Sequence, residues 1–176
     1  MTQHSQELYR LSIIPVELYL AKEPTLISTV LGSCVSVSAF SPTLRIGGLT
    51  HAQGPKSGLG GKCIRQCDIP CEESKDPANA AKYVECSTLL PLAKMEELGC
   101  DKSEIQVRVI GGADMFGWDK RLVPAVGQRN VETVLELLSA RGYDTPAKDI
   151  GGNQGRMIYF FYLQVNFGRK NEALTH

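Results

Sequence analysis

Short runs of apolar residues, several of them alternating with polar ones, recur along the chain and predict a protein built largely of β-strands. Ile105, Val107 and Val109 alternate with polar neighbours, which is typical of a strand with one buried face. The run 157–163 is apolar on both faces and therefore predicts a central strand. The other predicted strands are residues 11–20, 26–31, 35–40 and 44–50, and a short one that ends near residue 167.

Proline and glycine qualify this pattern at three places. Pro15 lies near the middle of the first run, and since proline cannot donate a ladder hydrogen bond, that strand is predicted at a sheet edge. Gly32 and Ser33 interrupt the apolar pattern between the second and third strands. Residues 148–155 are rich in glycine and predict a turn.

Two stretches are predicted to be helical. Asp76 is followed by a proline, the combination of an N-cap and a first helical residue, so one helix is expected at 77–98 with a kink or break at Pro91. Asn130 is the expected cap of a second helix at about 129–141. The apolar stripe of that helix consists of Val131, Val134, Leu135 and Leu138.

These elements predict an α+β fold with a β-rich centre and the two helices on an outer face. The chain has 176 residues, which fits one domain spanning 1–176 with a sizeable core. Residues 52–76 differ in composition because they are rich in glycine, proline and cysteine. We expect a long inserted loop there, and long loops often serve a function.

The net charge and the hydropathy of the chain make some classes of function less expected. Lys+Arg and Asp+Glu both number 19, so the formal net charge is zero and nucleic acid is not the expected partner. No apolar run is long enough to cross a bilayer, and the polar first ten residues lack the apolar core of a secretory signal. We therefore expect a cytoplasmic protein. Its six cysteines are then thiols, metal ligands or a nucleophile rather than a disulfide framework.

Cys34 and His51 are the leading candidates for catalysis. Cys34 follows a Gly-Ser turn, where backbone N–H groups can stabilise an oxyanion. Two antiparallel strands joined by a turn at Ser41-Pro42 would bring the start of the first, Cys34, to the end of the second, His51. A thiol beside an imidazole is the pair that nucleophilic catalysis requires. The alternative is a buried cysteine and a structural core histidine.

A third group usually orients the histidine of such a pair. Ser28 and Thr29 lie six and five residues before Cys34, and each offers a hydroxyl, although both residues also suit an ordinary strand. Asp149 offers a carboxylate, but its glycine-rich setting suits a turn equally well.

The stretch Leu31-Gly32-Ser33-Cys34-Val35, followed seventeen residues after its cysteine by His51, resembles the chemoreceptor glutamine deamidases of the CheD family. Four further blocks resemble the family in the same order, so that the resemblance covers roughly residues 10 to 168. They are residues 82–99, the GGADMF segment 111–116, residues 127–130 ending in Arg-Asn, and residues 149–156 with GGN and Arg156. The last block reduces Asp149 from a candidate catalytic carboxylate to a turn residue.

The resemblance implies hydrolysis of selected glutamine side chains on methyl-accepting chemotaxis receptors to glutamate, through a thioester. It implies that Cys34 is the nucleophile and His51 the base, with no metal or organic cofactor. The third residue is implied to be a hydroxyl at Ser28, or at Thr29 if the register slips by one. An even spacing from Cys34 favours Ser28, because alternate residues of a strand share a face. The implied fold is a layered sandwich of mixed β-sheets.

The resemblance also implies partners. Receptor helices are the expected protein substrate, and a CheC-type chemotaxis phosphatase is an expected binding partner. Phe116, Trp118 and the 52–76 loop are candidate receptor contacts, with local packing as the alternative. Two other functions stay open: a thiol amidase or acyl-transfer enzyme for another substrate, and a non-catalytic module that binds the phosphatase or the receptor.

The sequence departs from the family directly after His51. Residues 52–55 read Ala-Gln-Gly-Pro where the family has an apolar run ending in Leu-Pro, which alters the wall beside the site. Beyond them a cysteine recurs at every fourth position, and together with one later cysteine these thiols could bind zinc or an iron–sulfur cluster. The four are Cys63, Cys67, Cys71 and Cys86, and Cys100 lies further on. Redox disulfides and incidental thiols are the alternatives.

Overall fold

A computed structural model describes residues 9–15, 17–22, 24–55, 81–115, 125–145, 147–161 and 164–169. These residues form nine strands, two α-helices and a short 3-10 helix at Lys102–Glu104. The strands are β1 (Tyr9–Ser12), β2 (Leu18–Ala21), β3 (Thr25–Leu31), β4 (Val35–Ser41), β5 (Ile46–Thr50), β6 (Gln106–Gly111), β7 (Ala147–Ile150), β8 (Arg156–Phe161) and β9 (Gln164–Arg169). The helices are α1 (Val84–Glu97) and α2 (Val126–Ala140).

The strands form two mixed sheets. The four-stranded sheet has the order β1-β3-β8-β9, and the five-stranded sheet has the order β2-β5-β4-β6-β7. The pairs β1–β3 and β6–β7 are parallel, and the other pairs are antiparallel. The hairpin of β4 and β5 joins neighbours in the centre of the larger sheet, so the segment after the Gly-Ser turn is fixed on both sides.

Two hydrophobic clusters join three layers. In one cluster, buried residues of α1 and α2, including Leu92 and Val134, pack with Val37 and Val109 of the five-stranded sheet. In the other, residues of both sheets pack together: Ile27, Leu31, Ile158 and Phe160 of the smaller sheet with Leu49 and Ile110 of the larger. Full burial of such a side chain stabilises the fold by about 1.5–3 kcal/mol. The predicted α+β layered sandwich with two helices on an outer face is confirmed.

The first predicted strand, residues 11–20, is divided in two. β1 and β2 lie at edges of different sheets, and the chain turns between them at Pro15. The edge position predicted from the proline is correct, since a residue without an N–H is tolerated where no ladder bond is needed. The single continuous strand is wrong, because the proline marks a crossing from one sheet to the other.

The first helix begins at Val84, later than the predicted start at residue 77. Tyr83 is extended, and its neighbours pair with the segment after His51: Gln53 N–H donates to Lys82 O at 2.9 Å and Val84 N–H donates to Gly54 O at 2.8 Å. This pairing keeps residues 82–83 out of the helix. α1 then runs through Pro91 as one continuous helix, so the expected break at Pro91 is not present. The helix is followed by Gly99 in the left-handed region, which is the predicted stop. Residues 76–80 lie outside the described part of the chain.

The second helix begins at Val126 with Ala125 as its cap, so Asn130 is not the cap residue. Asn130 lies one turn inside α2 and its side chain is fully buried. It shares a stripe with Val134 and Leu138, at intervals of four residues, that faces the larger sheet. The predicted end of the helix before Gly142 is correct.

Two further expectations change in detail. Residues 147–150 form β7, so the predicted glycine-rich turn begins at Gly151 rather than at residue 148. β8 occupies the predicted interior position between β3 and β9, but it is not buried on both faces. Ile158 and Phe160 are buried, whereas Met157 and Phe161 are each more than a third exposed, because the second face of the smaller sheet has no described layer upon it.

Candidate active site

The turn that carries Cys34 is held through its backbone carbonyls. Gly32 O accepts a hydrogen bond from Ala113 N–H at 3.0 Å, and Cys34 O accepts one from Gly112 N–H at 2.8 Å. Between them, Ser33 O accepts from the side-chain amide of Asn130 at 2.9 Å. Three consecutive carbonyls are therefore fixed, which defines the orientation of the peptides around the thiol.

Glycine is required where β6 leaves the sheet beside this turn. Gly111 and Gly112 have φ values of 110° and 71°, a region that side chains rarely adopt. A Cβ atom on Gly111 would lie 2.3 Å from Cys34 O, and one on Gly112 would lie 2.8 Å from Gly127 O in α2. The backbone of the GGA segment thus packs closely against α2 and against the turn at residues 32–34 that carries Cys34, which we call the thiol turn. This close packing explains why the motif contains two glycines.

The β4–β5 hairpin brings Cys34 and His51 to the same end of the larger sheet. Val35 and Ala52 exchange both backbone hydrogen bonds, at 3.0 and 2.9 Å. Cys34 and His51 each precede one member of this pair, so their side chains share one face of the ladder as diagonal neighbours. Diagonal neighbours have Cα atoms about 7–8 Å apart, within reach of long side chains. The backbone N–H of His51 is fixed separately, by Glu17 O at 2.9 Å.

The His51 ring is buried, with only 2% of the residue exposed, and its Nδ1 lies 2.7 Å from Thr29 Oγ1. Thr29 Oγ1 donates its single proton to Ile13 O at 2.8 Å. The hydroxyl must therefore accept from His51, which puts the ring proton on Nδ1 and the lone pair on Nε2. Nε2 is buried without a hydrogen-bond partner among the described residues. This tautomer is the one that can accept a proton from a thiol at Nε2.

Ser28 lies on the opposite face of β3. Its Oγ is 2.7 Å from Ser12 Oγ on the neighbouring strand, and it is also within 3.5 Å of Leu11 O. The structure does not bring Ser28 to His51, whereas it does bring Thr29 there. The even spacing between Ser28 and Cys34 does not place the two side chains on one face, because Gly32 and Ser33 interrupt the alternation of the strand.

Asp149 also lies away from the imidazole. Its Oδ1 is 3.0 Å from Arg156 Nη2, and this ion pair joins the two ends of the glycine-rich turn. Gly151 N–H donates to Gly111 O at 2.9 Å, and Asp114 N–H donates to Gly152 O at 2.8 Å. The turn thus supports the GGA segment, which fits its interpretation as a structural element.

Burial keeps both reactive groups neutral near pH 7. Burial raises the pKa of the Cys34 thiol, and the residue's own backbone N–H has a smaller opposing effect that lowers it. Burial lowers the pKa of His51 to about 4, with a smaller opposing effect from the negative charge of Glu17. A preformed thiolate–imidazolium pair is therefore disfavoured, and any use of His51 as a base requires transfer of the Cys34 proton during the reaction itself.

Sequence reasoning missed the role of Asn130. Its Nδ2 atom contacts Ser33 O at 2.9 Å and Gln53 O at 3.1 Å, so one side chain reaches the segments that carry both Cys34 and His51. The available signal was its spacing, because an asparagine four and eight residues before two core positions belongs to the buried stripe rather than to the cap.

The cysteine-rich insert stays a prediction. Cys63, Cys67 and Cys71 lie outside the described residues, while Cys86 and Cys100 are buried. Within the described ranges no group of three or more His, Cys, Asp or Glu side chains is placed to hold a metal ion. Phe116 and Trp118 also lie outside those ranges. No helix in the part of the chain that the structure describes is both long and apolar enough to span a membrane.

A thiol and a neutral, oriented imidazole at the ends of neighbouring strands are the pair of groups that cysteine-dependent acyl-transfer sites use. The sequence model described as "CheD chemotactic sensory transduction" matches residues 69–170. A probable chemoreceptor glutamine deamidase CheD of Maridesulfovibrio salexigens is 33% identical over 163 residues, covering 91% of this chain and 90% of the relative. Similar proteins of the same description come from Geobacter sulfurreducens (32% identical; 92% and 89% covered) and Archaeoglobus fulgidus (33%; 87% and 85%). The chain belongs to the CheD family.

Proposed function

We propose that this protein is a hydrolase that deamidates glutamine side chains of methyl-accepting chemotaxis receptors to glutamate. The observation that carries the proposal is the fixed Nδ1–H tautomer of His51, which leaves Nε2 as the base on the side of the ladder that carries Cys34. The names of the relatives, chemoreceptor glutamine deamidases, supply the substrate. A cytoplasmic location and one deamidase domain over residues 1–176, with the 52–76 insert, belong to the same proposal.

The first half of the reaction forms a thioester. His51 Nε2 removes the proton from Cys34 Sγ as the sulfur attacks the carboxamide carbon of the glutamine. The oxyanion that forms is stabilised by backbone N–H groups of the Gly32–Cys34 turn. The protonated His51 then gives its proton to the nitrogen, and ammonia leaves as the C–N bond breaks.

The second half hydrolyses the thioester. His51 Nε2 removes a proton from a water molecule as its oxygen attacks the thioester carbon. The second tetrahedral intermediate collapses, the C–S bond breaks, and the sulfur regains a proton from His51. One water is consumed and one ammonia is released for each glutamine that becomes glutamate, and the chain's own residues supply each proton transfer.

Thr29, and not Ser28, is the proposed third residue. Its hydrogen bond to Nδ1 keeps the ring in the productive tautomer and stabilises the imidazolium that forms in each half-reaction. Ser28 is engaged with Ser12 on the other face of the sheet. Thr29 acts through His51 and is therefore a positioning residue.

Partner binding completes the proposal. A CheC-type chemotaxis phosphatase is the expected protein partner besides the receptor, by family membership alone. Phe116, Trp118 and residues 52–76 are the candidate contacts, and of these Phe116, Trp118 and residues 56–76 lie outside the described residues. The thiols of Cys63, Cys67, Cys71 and Cys86 are candidates for a metal or redox site, which metal analysis of anaerobically purified protein would test.

The decisive experiment incubates the protein with receptor cytoplasmic fragments and reads Gln-to-Glu conversion by peptide mass spectrometry. Conversion by the wild type and none by Cys34→Ala is the expected result. The matched control is Cys100→Ala, which removes another buried thiol that is not part of the proposed site. Conversion that survives in Cys34→Ala would exclude Cys34 as the nucleophile.

The same experiment separates the two rival functions. A non-catalytic module would bind the receptor or the phosphatase and convert no glutamine in any fragment. A thiol amidase for another substrate would leave receptor glutamines unchanged, while Cys34 would still be acylated by a small amide or ester substrate and release its product. The paired thiol and imidazole favour an enzyme over the binding module.

A further inference from the structure

Asn130 is a buried polar side chain that the reaction steps above do not use. It is fully buried in α2, and its Nδ2 atom donates to Ser33 O at 2.9 Å and to Gln53 O at 3.1 Å. Both contacts are carbonyl oxygens, so the amide nitrogen and not its oxygen must face them. The Oδ1 atom is buried with no hydrogen-bond partner among the described residues, which is unfavourable. The two donated hydrogen bonds are therefore what justifies a polar residue here.

The helix itself does not require that polarity. Asn130 shares its stripe with Val134 and Leu138, which are buried against the larger sheet. An apolar side chain at this position would continue the stripe and would leave no orphaned amide oxygen. It would instead leave two part-buried carbonyls of the active-site segments, those of Ser33 and Gln53, without this donor. A polar side chain at position 130 is thus required by the turn that carries Cys34 and not by α2.

Fixing Ser33 O fixes the peptide that joins Ser33 to Cys34. In a trans peptide the N–H points away from the carbonyl, so Cys34 N–H is directed away from Asn130. That N–H group favours the thiolate and lowers the pKa of the Cys34 thiol, against the larger opposing effect of burial. The neighbouring carbonyls are held independently by Ala113 and Gly112, so Asn130 supplies the central contact of three.

We propose that Asn130 is a positioning residue that orients Cys34 N–H toward the reacting sulfur and the oxyanion, and that fixes the segment after His51 through Gln53. The part concerning the oxyanion rests on the proposed deamidase function. The part concerning the thiol does not, because it concerns the reactivity of Cys34 in the free protein.

The test uses Asn130→Ala, Asn130→Ser and the control Gln128→Ala. Gln128 is an exposed amide in the same helix, bonded to Glu132 Oε1 at 2.9 Å and remote from these carbonyls. The rate of iodoacetamide alkylation of Cys34 is measured against pH, with the peptide containing Cys34 followed by mass spectrometry. We expect the profile of Asn130→Ala to shift upward by about one pH unit, because Cys34 N–H, which favours the thiolate, is no longer held in place through Ser33 O. Asn130→Ser, which retains one donor, should shift less, and Gln128→Ala should not shift.

The rate of glutamine-to-glutamate conversion on receptor fragments is the second measurement. We expect Asn130→Ala to lower kcat by about tenfold or more with a smaller change in KM, since loss of an oxyanion donor affects the transition state. An unchanged Cys34 alkylation profile in Asn130→Ala would overturn the proposal, even if the melting temperature falls, because Asn130 would then be merely structural. If Asn130→Ala does not fold, an unchanged profile in Asn130→Ser overturns it equally. A shifted profile in a protein whose wild type converts no receptor glutamine would support the thiol role and refute the proposed function.

Discussion

At the scale of single residues, the direction of one proton decides what His51 can do. Thr29 gives its only proton to Ile13 O, so it accepts from Nδ1 and leaves the lone pair on Nε2. Burial meanwhile keeps the ring uncharged at neutral pH. Both effects act on the same atom, and together they produce a base that is neutral, oriented and sheltered from water.

Replacing Thr29 tests this chain of hydrogen bonds. Thr29→Ala should lower kcat for glutamine conversion by about tenfold or more, within the range for positioned acid–base groups, because the ring loses its fixed tautomer. Ser28→Ala should retain activity within about twofold. Thr29→Ser, which keeps the hydroxyl, should recover most of the loss. A larger loss in Ser28→Ala than in Thr29→Ala would reverse the assignment.

The pKa of His51 also predicts a pH dependence of stability. The folded-state pKa is about 4 and the ordinary value is 6.5, so between these values the unfolded chain binds a proton that the folded chain does not. The free energy of unfolding should therefore fall as the pH is lowered from 6.5 to 4, by at most about 3 kcal/mol from this residue. Urea denaturation at pH 7 and pH 4.5 should show a smaller fall in His51→Gln than in the wild type. Equal falls in the two proteins would contradict the low pKa.

The residues of the site divide by how much local pattern reveals them. That Cys34 and His51 lie at the same end of the sheet could be predicted from the sequence, because each stands at a strand end and the hairpin between them is local. The choice between Ser28 and Thr29 could not, because it depends on how many residues the Gly32-Ser33 turn removes from the strand alternation. Asn130 was predicted as a helix cap because asparagine favours caps, and tertiary contact with a loop 97 residues away overrode that preference.

At the scale of elements, the site is positioned by close main-chain contacts. These contacts join the end of β6, the thiol turn and the first turn of α2. A Cβ on Gly127 would lie 2.6 Å from Ala113 O, so helix and segment are in direct backbone contact. Because these contacts involve main-chain atoms, a side chain cannot relieve them by changing its rotamer. α2 therefore fixes the thiol turn from behind both by this packing and through Asn130.

Two glycines with nearly the same φ allow the cost of backbone strain to be measured apart from the cost of a steric clash. Gly112 and Gly152 have φ values of 71° and 72°, but a Cβ would meet Val131 Cγ2 at 2.3 Å in the first and nothing within 4 Å in the second. Gly152→Ala should cost about 1–2 kcal/mol, the usual penalty of the left-handed region. Gly112→Ala should cost clearly more and should also lower glutamine conversion. Equal melting temperatures in the two variants would contradict direct packing of α2 on Gly112.

At the scale of the whole molecule, the site is shared by the two sheets. Thr29 belongs to the smaller sheet, whereas His51 follows the end of β5 and Cys34 precedes β4 in the larger one. The 2.7 Å contact between Thr29 and His51 crosses from sheet to sheet, so the packing between the layers sets its length.

Leu49 tests this dependence, since it lies fully buried in the cluster between the sheets, two residues before His51. Leu49→Ala should lower the free energy of unfolding by about 2–5 kcal/mol through the lost burial and the cavity it leaves. Leu44→Ala, at a side chain that is 42% exposed, should cost within about 0.5 kcal/mol. Glutamine conversion, measured where both variants are folded, should fall in Leu49→Ala alone. Full activity in Leu49→Ala would show that the sheet-to-sheet contact tolerates repacking.

The layers could be predicted from the sequence, but the assignment of strands to sheets depends on long-range pairing. Residues 11–20 contain enough apolar positions for one strand, and no local signal indicates that β1 pairs with β3 while β2 pairs with β5. The late start of α1 has the same origin, because Tyr83 and its neighbours pair with the segment that follows His51. In both places a contact distant in sequence outweighs a local preference.

The acceptor at the end of the Thr29 hydrogen bond is a main-chain carbonyl, and this has a consequence for mutational tolerance. Every amino acid carries that oxygen, so substitutions at Ile13 that preserve the path of the backbone leave the direction of the proton chain intact. Point mutations at Ile13 should therefore leave the proton of the His51 imidazole on Nδ1, whereas mutations at Thr29 should not. A library of variants at both positions, selected for glutamine conversion, should accept varied apolar residues at 13 and little besides threonine and serine at 29.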